Sequence, residues 1–515
     1  MNISVAIEQL IRYGLREELI DENDVHFVRN TLLNMFGLDD PCYEEVPEKI
    51  PALTEILSDM LDAAFERGLF EHNNVVYRDL LDTKIMGTLV ARPSDVINKF
   101  YALLKEDPKK ATDYFYHIST ASNYIRMDRI NKNLSWNSDT KYGPLTITVN
   151  LAKPEINPND VVPKKAKKDR PYPTCMLCVD NSGYVGRTDF PARQTLRTIP
   201  LTLNNESWNM QYSPYVYYNE HCIVFCSEHR PMLVNRDTFE RLSQFVDMFP
   251  HYFLGSNAGL PVVGGSILTH DHYQGGNEVL PLEHAANNWE LKIDKFPGVT
   301  AETIKWPVAT IRAHTKSREE LVNFCDHILT TWQNYSNEGV NIKAYSMDGD
   351  KKTLHNAITP TVRKSEDGTY TVNLILRNNV TTDEFPGGIF HAHPEHHHIK
   401  KENIGVIEVM GLAILPGRLL KTLDVISDVL CGSEYDANAV KNDSEHPLHA
   451  HAAWIDFLIN KYGTSCTKEE AENFVRQEVG VKFSMILNDV SVFKEDEKGM
   501  EAFRDYLGFA GFSFK

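Results

Sequence analysis

The 515-residue sequence contains no run of about 18 apolar residues, the length a membrane-crossing helix needs. Met1 to Leu15 carries Glu8, Arg12 and Tyr13 among its apolar positions, so it lacks the uninterrupted core of a secretory signal. A cytoplasmic location, with no membrane partner, is expected. Cysteine is sparse: eight residues, at 42, 175, 178, 222, 226, 325, 431 and 466, are scattered along the chain, which excludes a dense disulfide scaffold. Positive charge is in deficit, with 53 Lys and Arg against 71 Asp and Glu and a net charge of −18. A surface of that sign repels phosphate backbones, so nucleic acid is not an expected partner. No internal repeat is legible. The sole low-complexity tract is basic (Lys164, Lys165, Lys167, Lys168 and Arg170) and reads as a solvated loop able to draw in an anionic substrate.

What is present is an ordinary globular composition, 42% hydrophobic, on a chain long enough for two or three packed units. Up to about residue 125 the apolar spacing is helical: Ile3, Ile7, Leu10 and Ile11, then Val25, Val28, Leu32 and Leu33 behind Asp24 as a candidate cap, then Ile56, Leu57, Met60, Leu61 and Ala64. No catalytic constellation stands out there. Strands are expected at Thr146 to Leu151, Cys222 to Phe225, Thr369 to Leu376 and Ile404 to Leu415, and a helix at Ser317 to Asn334 carrying Leu321, Phe324, Ile328 and Trp332. Residues 419 to 515 return to helical spacing. The fold class is therefore α+β.

The chemistry concentrates in residues 259 to 276, a short apolar run flanked by glycines and holding His270, His272 and Gln274. On a strand these three alternate onto one face. The glycines, Gly264 and Gly265 among them, allow a close backbone approach to a bulky ligand such as a phosphate. A neutral imidazole is a competent nucleophile toward phosphorus, and an amide beside it can donate to a phosphoryl oxygen as charge shifts. Upstream, Cys175 and Cys178 are spaced as half of a tetrahedral zinc site, with redox use as the rival reading of an isolated Cys-x-x-Cys. His229, at the end of an apolar strand, and His270 are the candidates for the other two ligands.

Cys-x-x-Cys at 175 and 178, Ser-Glu-His ending at His229, and His-x-His-x-Gln at 270, 272 and 274 together resemble the galactose-1-phosphate uridylyltransferases of the longer bacterial class, over about residues 130 to 420. That resemblance implies a histidine-triad-like antiparallel sheet of two related halves with packed helices. It divides the chain into a helical accessory domain (1–130), an N-terminal half with zinc and nucleophile (131–290), a C-terminal half (291–420) and a helical extension (421–515). It implies a structural zinc on Cys175, Cys178, His229 and His270, a uridylylated His272, and Gln274 as the group that stabilises it. Asn257, Gly264, Gly265, Ser266, His396 and His398 are the expected substrate-binding residues, and a second metal near His396 and His398 is implied for some members. Its carboxylate ligand has no clear counterpart among Glu278, Glu283 and Glu290.

The implied reaction moves a uridylyl group from UDP-glucose to galactose 1-phosphate in a homodimeric enzyme. Other readings are a dinucleotide phosphorylase or nucleotide hydrolase of the same superfamily, or a zinc-stabilised binding protein without turnover. One departure stands out: Asp271 occupies the place between the histidines where shorter members have proline, and strand alternation turns it away from His272 as a structural residue.

Overall fold

Eleven strands form one antiparallel sheet in the computed structural model, which describes residues 3–151, 172–265 and 267–514. The basic tract at 164–170 and Ser266 lie outside these described residues. From one edge the strands are Ile199–Leu203, Glu206–Tyr212, Cys222–Cys226, His272–Gly276 and Phe253–Ser256, then Asn356–Lys364, Tyr370–Asn378, Thr310–Thr315, Thr300–Ile304, Asn287–Lys292 and Ser513–Phe514. Each half is built the same way. A three-strand meander leads into a helix, Arg236–Met248 or Arg318–Gln333. Two further strands of this sheet follow, in the second half after a separate hairpin of Tyr345–Asp348 and Lys351–Leu354, and the second returns beside the third strand of the meander. The halves join where Phe253–Ser256 pairs with Asn356–Lys364. The repeat that the residues do not betray is present in the strand order.

Both helices cover the same face. Phe239, Leu242, Phe245 and Val246 of one pack with Leu321, Phe324, Ile328 and Trp332 of the other in a single core, and buried Cys325 belongs to it. The helical spacing at 318–333 is borne out, with the Ser317 hydroxyl accepting from the Glu320 N–H at 3.2 Å. The opposite face is closed by a second core drawn from residues 145–149, 404–415 and the helices Arg418–Leu430 and Lys468–Val490. In it Leu412–Pro416 runs parallel to Gly143–Asn150, which pairs in turn with Leu134–Thr140. Helices from Ile3 to about Leu89 carry a separate core of their own.

Two local expectations are corrected. Ile404 to Leu415 is not one strand: a helical turn, Val406–Val409, precedes the strand Leu412–Pro416. Glu408 accepts from the Gly405 N–H at 3.0 Å and starts the turn, and Gly411 at φ +97° ends it. Asp24 does not cap Val25–Phe36 through its side chain; it accepts from the Asp21 N–H at 3.1 Å, while Asp21 accepts from the Asn23 N–H at 2.9 Å.

Candidate functional site

The strand begins at His272, so His270 sits in the bend just before it rather than on the shared face. That bend turns the His270 ring toward the Cys-x-x-Cys turn. Its Nδ1 lies 3.1 Å from Cys175 Sγ and 3.6 Å from Cys178 Sγ; Cys178 Sγ is 3.2 Å from His229 Nδ1, and the two sulfurs are 3.4 Å apart. All four ligand-capable atoms fall within 4.8 Å of one another. A tetrahedral zinc with Zn–S of about 2.3 Å and Zn–N of about 2.0 Å requires edges of roughly 3.3 to 3.8 Å, so the quartet fits such an ion once the short edges widen slightly and the widest, at most 4.8 Å, draws in. Among the described residues it is the only such grouping.

The surrounding bonds hold these side chains in ligand form. His270 Nε2 donates to the Cys226 carbonyl at 2.7 Å, which leaves the Nδ1 lone pair facing the sulfurs. The Asn181 amide donates to the carbonyls of Cys175 (2.7 Å) and Cys178 (2.9 Å) and pins the turn. Burial raises the Cys175 thiol, but the His270 ring and the Leu177 N–H outweigh it and bring the group down to about 6. Burial and the neighbouring Cys175 push Cys178 up to about 12. Cys178 and His270 are buried, Cys175 is half-buried and His229 is exposed.

His272 is fixed by the same bend. Its Nδ1–H donates to the His270 carbonyl at 2.8 Å, so the unprotonated nitrogen is Nε2, which has no partner among the described residues. Burial pushes its pKa down to about 4, and the ring is a neutral imidazole at pH 7. Gln274 follows on the same strand face, half-buried, with Oε1 lying 3.1 Å from His221 Nε2. Gly275 allows the neighbouring strand to close in: a Cβ there would sit 2.3 Å from the Phe253 carbonyl oxygen.

Asp271 is buried and points to the other side, where Arg230 Nε lies 3.4 Å from its Oδ2. Its backbone N–H donates to the Arg230 carbonyl at 2.7 Å. Residues adjacent to His229 and His270 are thereby tied to each other by main chain and side chain at once. Arg230 continues to Glu206 (3.1 and 2.8 Å), which Arg241 also meets at 2.9 Å, and Trp208 beside them stacks on Tyr273 at 4.8 Å.

The other candidates fall in two places. Asn257 is buried, accepts from the Val406 N–H at 2.8 Å, and fills the space a Cβ on Gly265 would occupy, 2.5 Å away; a Cβ on Gly264 would meet the Leu260 carbonyl at 2.8 Å. His396 and His398 flank the end of a 3₁₀ turn, Pro394–His396, so strand alternation does not apply to them. His396 Nε2 faces Asp489 at 3.7 Å, whereas His398 Nδ1 faces His451 Nδ1 at 3.0 Å. Among the described residues they join no third ligand-capable side chain in a group of the kind formed by the quartet.

Three features carried no sequence signal. His221 looks like any strand-end histidine. The Arg230–Glu206–Arg241 set is spread over three segments. A cavity of about 530 Å³ opens beside Met176 of the Cys-x-x-Cys turn, lined by Arg126, Arg129, Arg187 and Arg193 with Tyr124 and Tyr215; neither His272 nor Gln274 lines it.

Residues 18–231 match the family model of the galactose-1-phosphate uridyl transferase N-terminal domain, and residues 244–451 match that of the C-terminal domain. The chain is 50% identical over 508 residues to the galactose-1-phosphate uridylyltransferase of Caldanaerobacter subterraneus subsp. tengcongensis, covering 98% of both chains. It is 46% identical to that of Fusobacterium nucleatum subsp. nucleatum over the full length of both, and 42% identical to that of Bacillus subtilis over 98% of both. Among solved structures, yeast Ap4A phosphorylase Apa2 overlaps 58% of this chain and 87% of its own at 11% identity and a TM-score of 0.29, too slight a likeness to bear on the fold.

Proposed function

This chain belongs to the galactose-1-phosphate uridylyltransferase family, and from that premise we propose that it transfers a uridylyl group from UDP-glucose to galactose 1-phosphate. His272 Nε2 attacks the α-phosphorus of UDP-glucose. An N–P bond forms, the P–O bond to the β-phosphate breaks, and glucose 1-phosphate leaves. A phosphate oxygen of galactose 1-phosphate then attacks the uridylyl-histidine, the N–P bond breaks, and UDP-galactose departs. The acceptor is already ionised, so it needs no general base. Gln274 donates its amide N–H to the phosphoryl oxygen as charge builds there.

One observation carries the reading: the Nδ1–H of His272 is committed to the His270 carbonyl, which leaves a neutral, low-pKa ring with Nε2 as its only free lone pair. In this reading Cys175, Cys178, His229 and His270 hold a structural zinc ion, which supplies rigidity and no reaction chemistry because four protein ligands close its coordination shell. Asn257, Gly264, Gly265, Ser266, His396 and His398 serve substrate binding, the enzyme acts as a dimer, and its place is the cytoplasm. Among the described residues no helix is long and apolar enough to cross a membrane.

The test is isotope exchange between labelled glucose 1-phosphate and UDP-glucose with no second substrate present. Exchange is expected, since the first half-reaction is reversible by itself. Its absence, in an enzyme that completes the full reaction, would replace the covalent route with direct transfer.

A further inference from the structure

On the reading that Gln274 donates to the phosphoryl oxygen, we propose that His221 is a positioning residue whose Nε2–H holds Gln274 Oε1 and so turns the amide N–H pair, not the carbonyl, toward the phosphate. The contact is 3.1 Å long. A primary amide has two faces of opposite character, and nothing in its shape distinguishes them. Flipped, Gln274 would present lone pairs to an anion and repel it. Some donor must therefore claim the oxygen, and His221 is in place to do so.

His221 is itself held firmly. It is 2% exposed and precedes the strand Cys222–Cys226, in which Ile223 is the register partner of Gln274, so a side chain two residues before Ile223 lies on the Gln274 face. Its ring stacks on Tyr217 (centroids 5.4 Å apart, 27° between planes) and packs on Tyr218 at 4.6 Å. Its backbone N–H donates to the Tyr218 carbonyl at 3.2 Å, and its carbonyl accepts from the Ser213 N–H at 2.8 Å.

The tautomer follows from what is left unpaired. His221 Nδ1 is buried without a hydrogen-bond partner. A proton on Nδ1 would be a buried orphan donor, which proteins tolerate less readily than an orphan acceptor, so the proton belongs on Nε2. Nε2 then donates, and Gln274 Oε1 accepts. Among the described residues the Gln274 amide nitrogen has no acceptor, which leaves its two N–H groups for a ligand.

The experiment compares Gln274→Ala, His221→Phe, His221→Gln and the double variant Gln274→Ala/His221→Phe in the full-length, metal-loaded enzyme. Phenylalanine keeps a ring against the two tyrosines and removes the donor; glutamine restores an N–H at a similar reach. His221→Phe is expected to lower kcat roughly tenfold to a hundredfold, as loss of one oriented donor does, with the KM for UDP-glucose and the metal content near wild type. His221→Gln should recover most of that loss. The double variant should be no slower than Gln274→Ala alone, because an amide that is absent cannot be misoriented. If phenylalanine lowers the thermal midpoint, His221→Met, also donor-free, supplies the comparison with His221→Gln. Wild-type kcat in His221→Phe alongside a slow Gln274→Ala overturns the positioning role, as do multiplicative losses in the double variant. Wild-type kcat in Gln274→Ala removes instead the reading of Gln274 on which the proposal rests.

Discussion

His272 Nδ1 lies 2.8 Å from the carbonyl oxygen of His270, whose own ring reaches into the Cys175–Cys178 pair. The two histidines divide one task. The ring of His270 fixes the bend, and its carbonyl selects which nitrogen of His272 carries the proton.

His272→Gly should therefore abolish the complete reaction while the metal quartet and fold persist. Removing the ring leaves a buried space of imidazole shape, so added imidazole is expected to restore a half-reaction by accepting the uridylyl group. His270→Gly should show no such rescue, because it vacates a ring that holds the Cys175–Cys178 turn and not the nucleophile's place, and the bend it fixes is lost. Phosphate-ester exchange measured with and without imidazole separates the two cases, and a fully active His272→Gly enzyme would falsify the assignment.

Cys175→Ser should lower metal content and thermal stability together. Ligand bonds to a structural ion form only in the folded chain, so their free energy is folding free energy. Elemental analysis of the purified wild type is expected to give one tightly held zinc per chain, and the serine variant less. Chelator treatment should lower the wild-type midpoint and leave the serine variant nearly unmoved.

The acid limb of stability should depend on Glu206. Its hydrogen bonds from Arg230, and then the charge of Arg241, hold this carboxyl at about 2 despite burial, which raises it. The unfolded value is about 4.3. A carboxylate depressed in the folded state contributes stability that is whole above the unfolded pKa and fades as the pH falls toward the folded one. Glu206→Gln should thus unfold at a lower temperature than wild type at pH 7. The gap should narrow between about pH 4 and pH 2, and a gap independent of pH would show that the loss is not electrostatic.

The sequence yields the site where its logic is local. Cys175 and Cys178 sit three apart on one turn, and His270, His272 and Gln274 alternate within a five-residue stretch, so the two spacings taken together bring them to notice. His221 is silent because its partner is 53 residues away and meets it only through strand pairing. The arginine-lined cavity is silent for a related reason: residues 75–130, which read as plain core helices, supply one wall, and residues 176–215 supply another. At 404–415 an apolar run interrupted by Glu408 and two glycines gives no clear period to choose between helix and strand, and the choice falls to Gly405, Glu408 and Gly411. The shared strand order of the halves leaves no trace in residue identities, since hydrogen-bond topology constrains pattern and not composition.

The seam between the halves bears on how the chain reaches this state. Within each half no strand pairing spans more than 375 − 310 = 65 residues, so each can close from its own stretch of chain. The seam between them, in which Leu254 faces Val362, spans 362 − 254 = 108 residues, and within the sheet only the edge strand Ser513–Phe514 on Asn287–Lys292 reaches further. Loop closure of that length is the entropically costly event. The His272 strand has both its sheet neighbours, Cys222–Cys226 and Phe253–Ser256, inside residues 199–276, so its pairing does not depend on that seam.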